Sequence, residues 1–306
     1  MHPLIRTLTL LAGLLPGLVV AAGLQVQPVT AGVWAIVGEQ DQRSPDNLGN
    51  NATFGVIDTA AGLVLVDPGG SYKGAAQIAA AIRTVSAKPV VVVINSGGQD
   101  HRWLGNGYWR EHGARIIASA AAVADQRARS QDQLIALNNF VGAAGMAGTE
   151  PVYAGETFEQ DLKLDIGGVA IELHHYGPAH TPGDAVVWLP QQRVLFSGDI
   201  VYTERMLGVG PQSNIKGWLA SYAQLKQLPV LHLVPGHGRP TDLAHAEQDT
   251  GRYLSALYER VKQFIADGGT LDAISQVDQS EFMTMGNADQ LAGRNAHQVF
   301  QQLEFE

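Results

Sequence analysis

The 306-residue chain contains no cysteine. Neither a disulfide framework nor a thiolate metal site is available to it, so any metal must be held by histidine, carboxylate or water. Basic residues are scarce too: 20 Lys and Arg stand against 29 Asp and Glu, a formal charge of −9. Binding a phosphate backbone takes a basic surface, so nucleic acid is not an expected partner. Spanning a bilayer takes about 20 apolar residues. The run from Leu8 to Val20 falls short of this and is interrupted by Gly13, Pro16 and Gly17. It follows Arg6 and ends on the small residues Ala21 and Ala22, the pattern of a secretory signal. Residues 1–22 are therefore expected to be removed, leaving a periplasmic chain from Gly23 with no membrane span.

What is present suits a globular domain, with 45% hydrophobic and 16% charged residues. Apolar, β-branched runs bounded by turn residues predict strands at 33–37, 54–57, 63–66 and 90–94. Helical spacing over 75–85 and 120–147 separates these from a second set at 162–164, 169–174, 185–189, 194–196 and 231–234. From about residue 243 the composition turns helical, most clearly over 253–266.

Three polar clusters fall at the ends of these strands, where loops carry functional groups in sheet-based folds. They are Gly177-Pro178-Ala179-His180-Thr181-Pro182-Gly183-Asp184, then Ser197-Gly198-Asp199, then Pro235-Gly236-His237-Gly238. Each sets one imidazole or carboxylate among glycines, and such ligands suit zinc or iron where thiolate is lacking.

With Asp67-Pro68-Gly69 after an earlier strand, these motifs resemble the metallo-β-lactamase superfamily from about Val33 to Arg239. Within it the chain is most similar to the exported branch associated with quinoprotein dehydrogenases and sulfur oxidation. The resemblance implies a four-layer αββα sandwich of two mixed sheets flanked by helices. It implies one such domain over residues 23–306, with a helical extension from about 243. It makes His180 a ligand of a first metal, Asp199 a bridging carboxylate and His237 a ligand of a second metal.

The chain departs from the family at the motif Asn-Thr-His-x-His-x-Asp-His. After Asn95-Ser96 it reads Gly97-Gly98-Gln99-Asp100-His101-Arg102. A gapless register, anchored also on Gly105-Asn106, turns the two histidines into Gly97 and Gln99, the aspartate into His101 and the last histidine into Arg102. Sliding by one residue keeps Asp100-His101 as the Asp-His pair but puts Ser96 and Gly98 at the histidines. Both registers lose the His-x-His pair of the first metal.

Two functions stay open on these residues. One is a hydrolase with at most a single zinc or iron ion, whose bound water attacks an ester, thioester or amide of a small molecule. His101, Asp199 and His237 would then be the second-site donors, beside His180 and with Asp100 as a further donor or catalytic carboxylate. Gln99 and Arg102 would contact the substrate. The other is a metal-free binding protein in which the Arg102 guanidinium replaces the cation beside Asp199.

Overall fold

A computed structural model describes residues 19–21 and 23–305. Most of the expected signal segment lies outside the described residues. The first sheet runs β1 (Val19–Ala21), β2 (Leu24–Thr30), β3 (Val33–Val37), β4 (Thr53–Thr59), β5 (Gly62–Val66), β6 (Val90–Asn95), β7 (Arg115–Ser119) and β8 (Glu156–Phe158), in that spatial order. It is antiparallel up to β5 and parallel from there on. Parallel neighbours need crossovers, and these are α1 (Tyr72–Ile82), α2 (Asn106–Glu111) and α3 (Ala120–Met146). The second sheet holds β9 (Asp161–Ile166), β10 (Val169–His174), β11 (Val186–Leu189), β12 (Val194–Phe196) and β13 (His232–Val234). Only β12 and β13 run parallel there, joined through α4 (Ile215–Leu225). The chain finishes in α5 (Leu243–Ala246), α6 (Arg252–Ala266) and α7 (Ala288–Leu303).

Alternation of side chains decides the layers. One face of the first sheet, including Val64, Val66, Val92 and Ile94, packs against Leu173, Val187, Leu189 and Phe196 of the second. The opposite face, with Leu63, Leu65 and Val93, buries Ile78 and Ile82 of α1. On the far side, Val186, Trp188 and Leu195 meet Trp218 of α4, Leu257 of α6 and Val299 of α7. The result is the αββα sandwich. Strand β5, whose five residues are all buried, shows why its sequence is apolar throughout: both of its faces are covered.

The expected strands form within a residue or two at each end. Strands β1, β2, β7 and β8 add to those the sequence predicts: β1 falls within the expected signal segment, and Pro28, Arg115 and the brevity of Glu156–Phe158 hide the others. The long helix α3 breaks at Gly142, which takes φ 79.

Parallel pairing of β12 with β13 brings their carboxyl ends to one edge, and with them Asp199 and His237. The first sheet delivers β6 to the same edge. Ala185 N–H donates to Ser96 C=O (2.8 Å) and Thr53 N–H to Gly236 C=O (2.8 Å), tying the sheets together there.

Candidate active site

Three buried side chains meet at this edge: the ligand atoms of His101, Asp199 and His237 all lie within 4.8 Å of one another. His101 Nε2 is 3.2 Å from Asp199 Oδ2, and His237 Nε2 is 3.2 Å from Asp199 Oδ1. The two imidazoles meet edge to face at 5.2 Å. Tyr202 stacks on His237 at 4.4 Å, nearly parallel.

Beneath them lies Arg102, fully buried. Its five N–H groups all find acceptors. Nε and Nη2 take Asp199 Oδ2 and Oδ1 at 3.2 and 2.7 Å, Nη1 takes Asp67 Oδ2 at 2.7 Å and Thr53 C=O at 3.1 Å, and Nη2 also takes Gly236 C=O at 2.8 Å. A side chain at Gly236 would collide with Arg102 Nη2 and the Gly198 carbonyl, so glycine lets the guanidinium reach the backbone. Burial works against the guanidinium charge, but Asp199 and Asp67 outweigh it and its pKa is raised. Burial pushes the Asp199 carboxyl up, and Arg102 and His101 more than reverse this, holding it well below the usual range. Arg102 therefore stands under the cavity floor, and its donors are spent on protein rather than on a ligand.

Asp100 turns away from the cluster. Arg43 Nε donates to its Oδ2 at 2.6 Å, and Arg43 Nη2 pairs with its Oδ1. Burial raises the Asp100 carboxyl, while Arg43 and His101 lower it further, so it stays ionised. His101 Nδ1 lies 3.0 Å from Asp100 Oδ1 and 3.1 Å from Arg43 Nη2. Arg43 comes from an irregular loop, and no pattern in the sequence marks it.

His180 is not part of the three-residue cluster but lines the same cavity of about 420 Å³, as do Gln99, Asp100, His101, Tyr202 and His237. Its Nδ1 faces the Gly208 carbonyl at 3.0 Å, and its ring meets Trp218 edge to face. Burial lowers its pKa to about 4 and that of His237 well below the ordinary value, so both are neutral imidazoles.

Gly97, which stands for a histidine in the gapless register, and Gly98, which does so in the slid one, are not simply vacant positions. A Cβ on Gly97 would overlap Asp184 Oδ1, and one on Gly98 would overlap Asp125 Oδ2. Asp184 sits there on Thr181, accepting from its N–H at 2.7 Å and paired with its hydroxyl at 2.5 Å.

The remaining donors do fit one ion. Both ring nitrogens of His237 are buried without an aligned hydrogen-bond partner. His101 turns Nε2 toward Asp199 while its Nδ1 side faces the Asp100 carboxylate at 3.0 Å, a carboxylate behind the ring as is common for metal ligands.

Comparison with known proteins agrees with the fold. The metallo-beta-lactamase type 2 of Elizabethkingia meningoseptica is 24% identical over 180 residues, 55% of this chain and 72% of that protein. A linear primary-alkylsulfatase of a Pseudomonas strain is 23% identical over 226 residues, 60% of this chain and 41% of that protein. This chain thus matches less than half the length of the alkylsulfatase. The solved metallo-beta-lactamase from Pontibacter korlensis superposes with a TM-score of 0.59 at 23% identity, covering 76% of this chain and 99% of that one. A family model for the metallo-beta-lactamase superfamily matches residues 49–237. That stretch runs from just before β4 to His237 and takes in each strand end that carries the cluster, so the chain belongs to the metallo-beta-lactamase superfamily.

Proposed function

We propose that the protein is a hydrolase of small molecules that works with a single metal ion, zinc or iron, held by His101, Asp199 and His237. Arg102 supplies the second, permanent positive charge. The observation that carries this reading is His237: an imidazole kept neutral by burial, its Nδ1 without a hydrogen-bond partner and its Nε2 facing the Asp199 carboxylate at 3.2 Å without an aligned bond, beside a second imidazole. An unpartnered buried polar group costs about 1–3 kcal/mol, which a metal bond would offset.

When bound, the ion would lower the pKa of a coordinated water toward 7 and polarise an ester, thioester or amide carbonyl. The protein's own groups do the rest. Asp100 and Arg43 pack against the Nδ1 side of His101, and Arg43 holds Asp100. Gln99 and His180 face the substrate from the cavity wall. The secretory pattern before Gly23 supports a periplasmic mature protein.

Elemental analysis after incubation with zinc or ferrous iron tests it, together with a panel of chromogenic esters. The expected result is about one ion per chain and turnover, both abolished by His237→Ala. A second reading, a metal-free binding protein, is favoured by Arg102 occupying both Asp199 oxygens. Negligible metal in the wild type and in His237→Ala alike, with no turnover, would establish that reading instead.

A further inference from the structure

The cavity above the cluster opens toward the C-terminal helices, which lie beyond the stretch matched by the family. Leu291 and Arg294 of α7 line it opposite Phe140 of α3. A second cavity of about 370 Å³ adjoins it, and Val209, Pro211 and Arg294 line both. Beyond them the second cavity is lined by Ile274, Gly293, His297 and Gln298; most of the surface it presents is nevertheless apolar, so a ligand passing Val209 and Pro211 leaves a polar cavity for a less polar one.

The polar chamber has a sign. Two of its arginines are neutralised, Arg43 by Asp100 and Arg129 by Asp125. Arg205 and Arg294 make no ion pair among the described residues, and Arg205 bonds only to the carbonyls of Gln40 and Met206. The one other acidic lining residue, Asp132, is exposed on α3. In a chain of charge −9 this is a local cationic site.

We infer that the substrate is an amphiphilic anion, its charged group held by Arg205 and Arg294 in the first cavity and a linear apolar tail laid past Val209 and Pro211 into the second. This rests on the reading of the first cavity as the substrate site, but not on the metal. Each methylene moved from water into an apolar chamber contributes ~0.8 kcal/mol, so affinity should rise about tenfold for every two methylenes until the second cavity is filled.

Gly293 provides the blocking variant. It lies on the exposed side of α7, and a Cβ there meets nothing within 4 Å. Gly293→Phe therefore occupies the second cavity without disturbing the core. Isothermal titration calorimetry of chelator-treated, metal-free protein would use butyrate, decanoate and decyltrimethylammonium as probes. Decanoate is expected to bind at least 100-fold more tightly than butyrate, and the cation at least tenfold more weakly than decanoate. In Gly293→Phe the decanoate advantage should shrink to tenfold or less, and Arg205→Gln should weaken both carboxylates about tenfold. Equal binding of butyrate and decanoate, an equally tight cation, or unchanged decanoate binding in Gly293→Phe would each overturn the inference. Because the titration uses metal-free protein it is independent of the ion, so decanoate binding there together with no ester turnover in the zinc- or iron-loaded protein would count against the hydrolase reading alone.

Discussion

Arg102 and Asp199 face each other as a two-bond fork, 2.7 and 3.2 Å, with neither side chain exposed. Asp199 is thereby shared between a guanidinium on one side and two imidazoles on the other. Here the charge is covalently attached, which fixes the carboxylate whether or not an ion is bound.

Removing that charge should cost heavily. Arg102→Met leaves Asp67 and Asp199 buried and uncompensated, and breaking a buried pair from one side typically costs about 3–5 kcal/mol. Arg102→Lys keeps the charge but has three donors and no planar fork, so it should recover only part of the loss. Urea unfolding of the two variants measures this, and a loss below about 1 kcal/mol in Arg102→Met would contradict the role given to the fork.

Much of this arrangement was legible in the sequence, for a physical reason. His180, Asp199 and His237 stand among glycines directly after apolar strands, and the chain order of those strands sets which ends meet. Arg102 next to His101 announced a displaced cation, although its acceptors were not readable: Asp67, Thr53 and Gly236 lie 35, 49 and 134 residues away. Arg43 was invisible, since its loop has no periodicity and its partner is 57 residues distant. Gly97 and Gly98 read as simple losses, whereas the structure packs Asp184 and Asp125 against them.

Acid should destabilise the metal-free protein through its neutral histidines. His180 has a folded pKa of about 4 because it is buried. Unfolded, it titrates near 6.5, so below that pH the unfolded chain takes up a proton that the folded chain refuses. Stability is therefore complete above about 6.5 and is lost as pH falls toward 4, by ~3 kcal/mol for this residue, and His237 acts in the same direction. Chemical unfolding across this range should show the slope. His180→Asn should flatten it, and an unchanged slope would refute the assignment.

Arg43 should matter more for metal binding than for folding. It holds Asp100, and Asp100 in turn faces Nδ1 of His101. Such outer partners are typically worth 10–100-fold in metal affinity. Arg43→Met is expected to weaken the ion by that factor in a chelator competition, with Arg43→Lys intermediate. Unaltered affinity in Arg43→Met would show that Asp100 orients His101 unaided.

Restoring the lost histidine pair should not restore a second ion. Gln99 lines the cavity, so Gln99→His alone should be tolerated and add at most one donor near His180. Gly97 is different, because a Cβ there overlaps Asp184 Oδ1 and comes within 3.4 Å of Thr181 Oγ1. Both atoms belong to a tight buried turn, in which Asp184 accepts from Thr181 N–H at 2.7 Å, so neither can retreat cheaply. An imidazole at 97 must push that turn aside, and overpacking of this kind costs about 1–3 kcal/mol. A stable second site needs three or more protein donors in fixed geometry. The double variant Gly97→His, Gln99→His should thus unfold at lower urea concentration than the wild type and still hold no more than about one ion. Two tightly bound ions in its elemental analysis would mean that the Asp184 turn yields more readily than its packing implies.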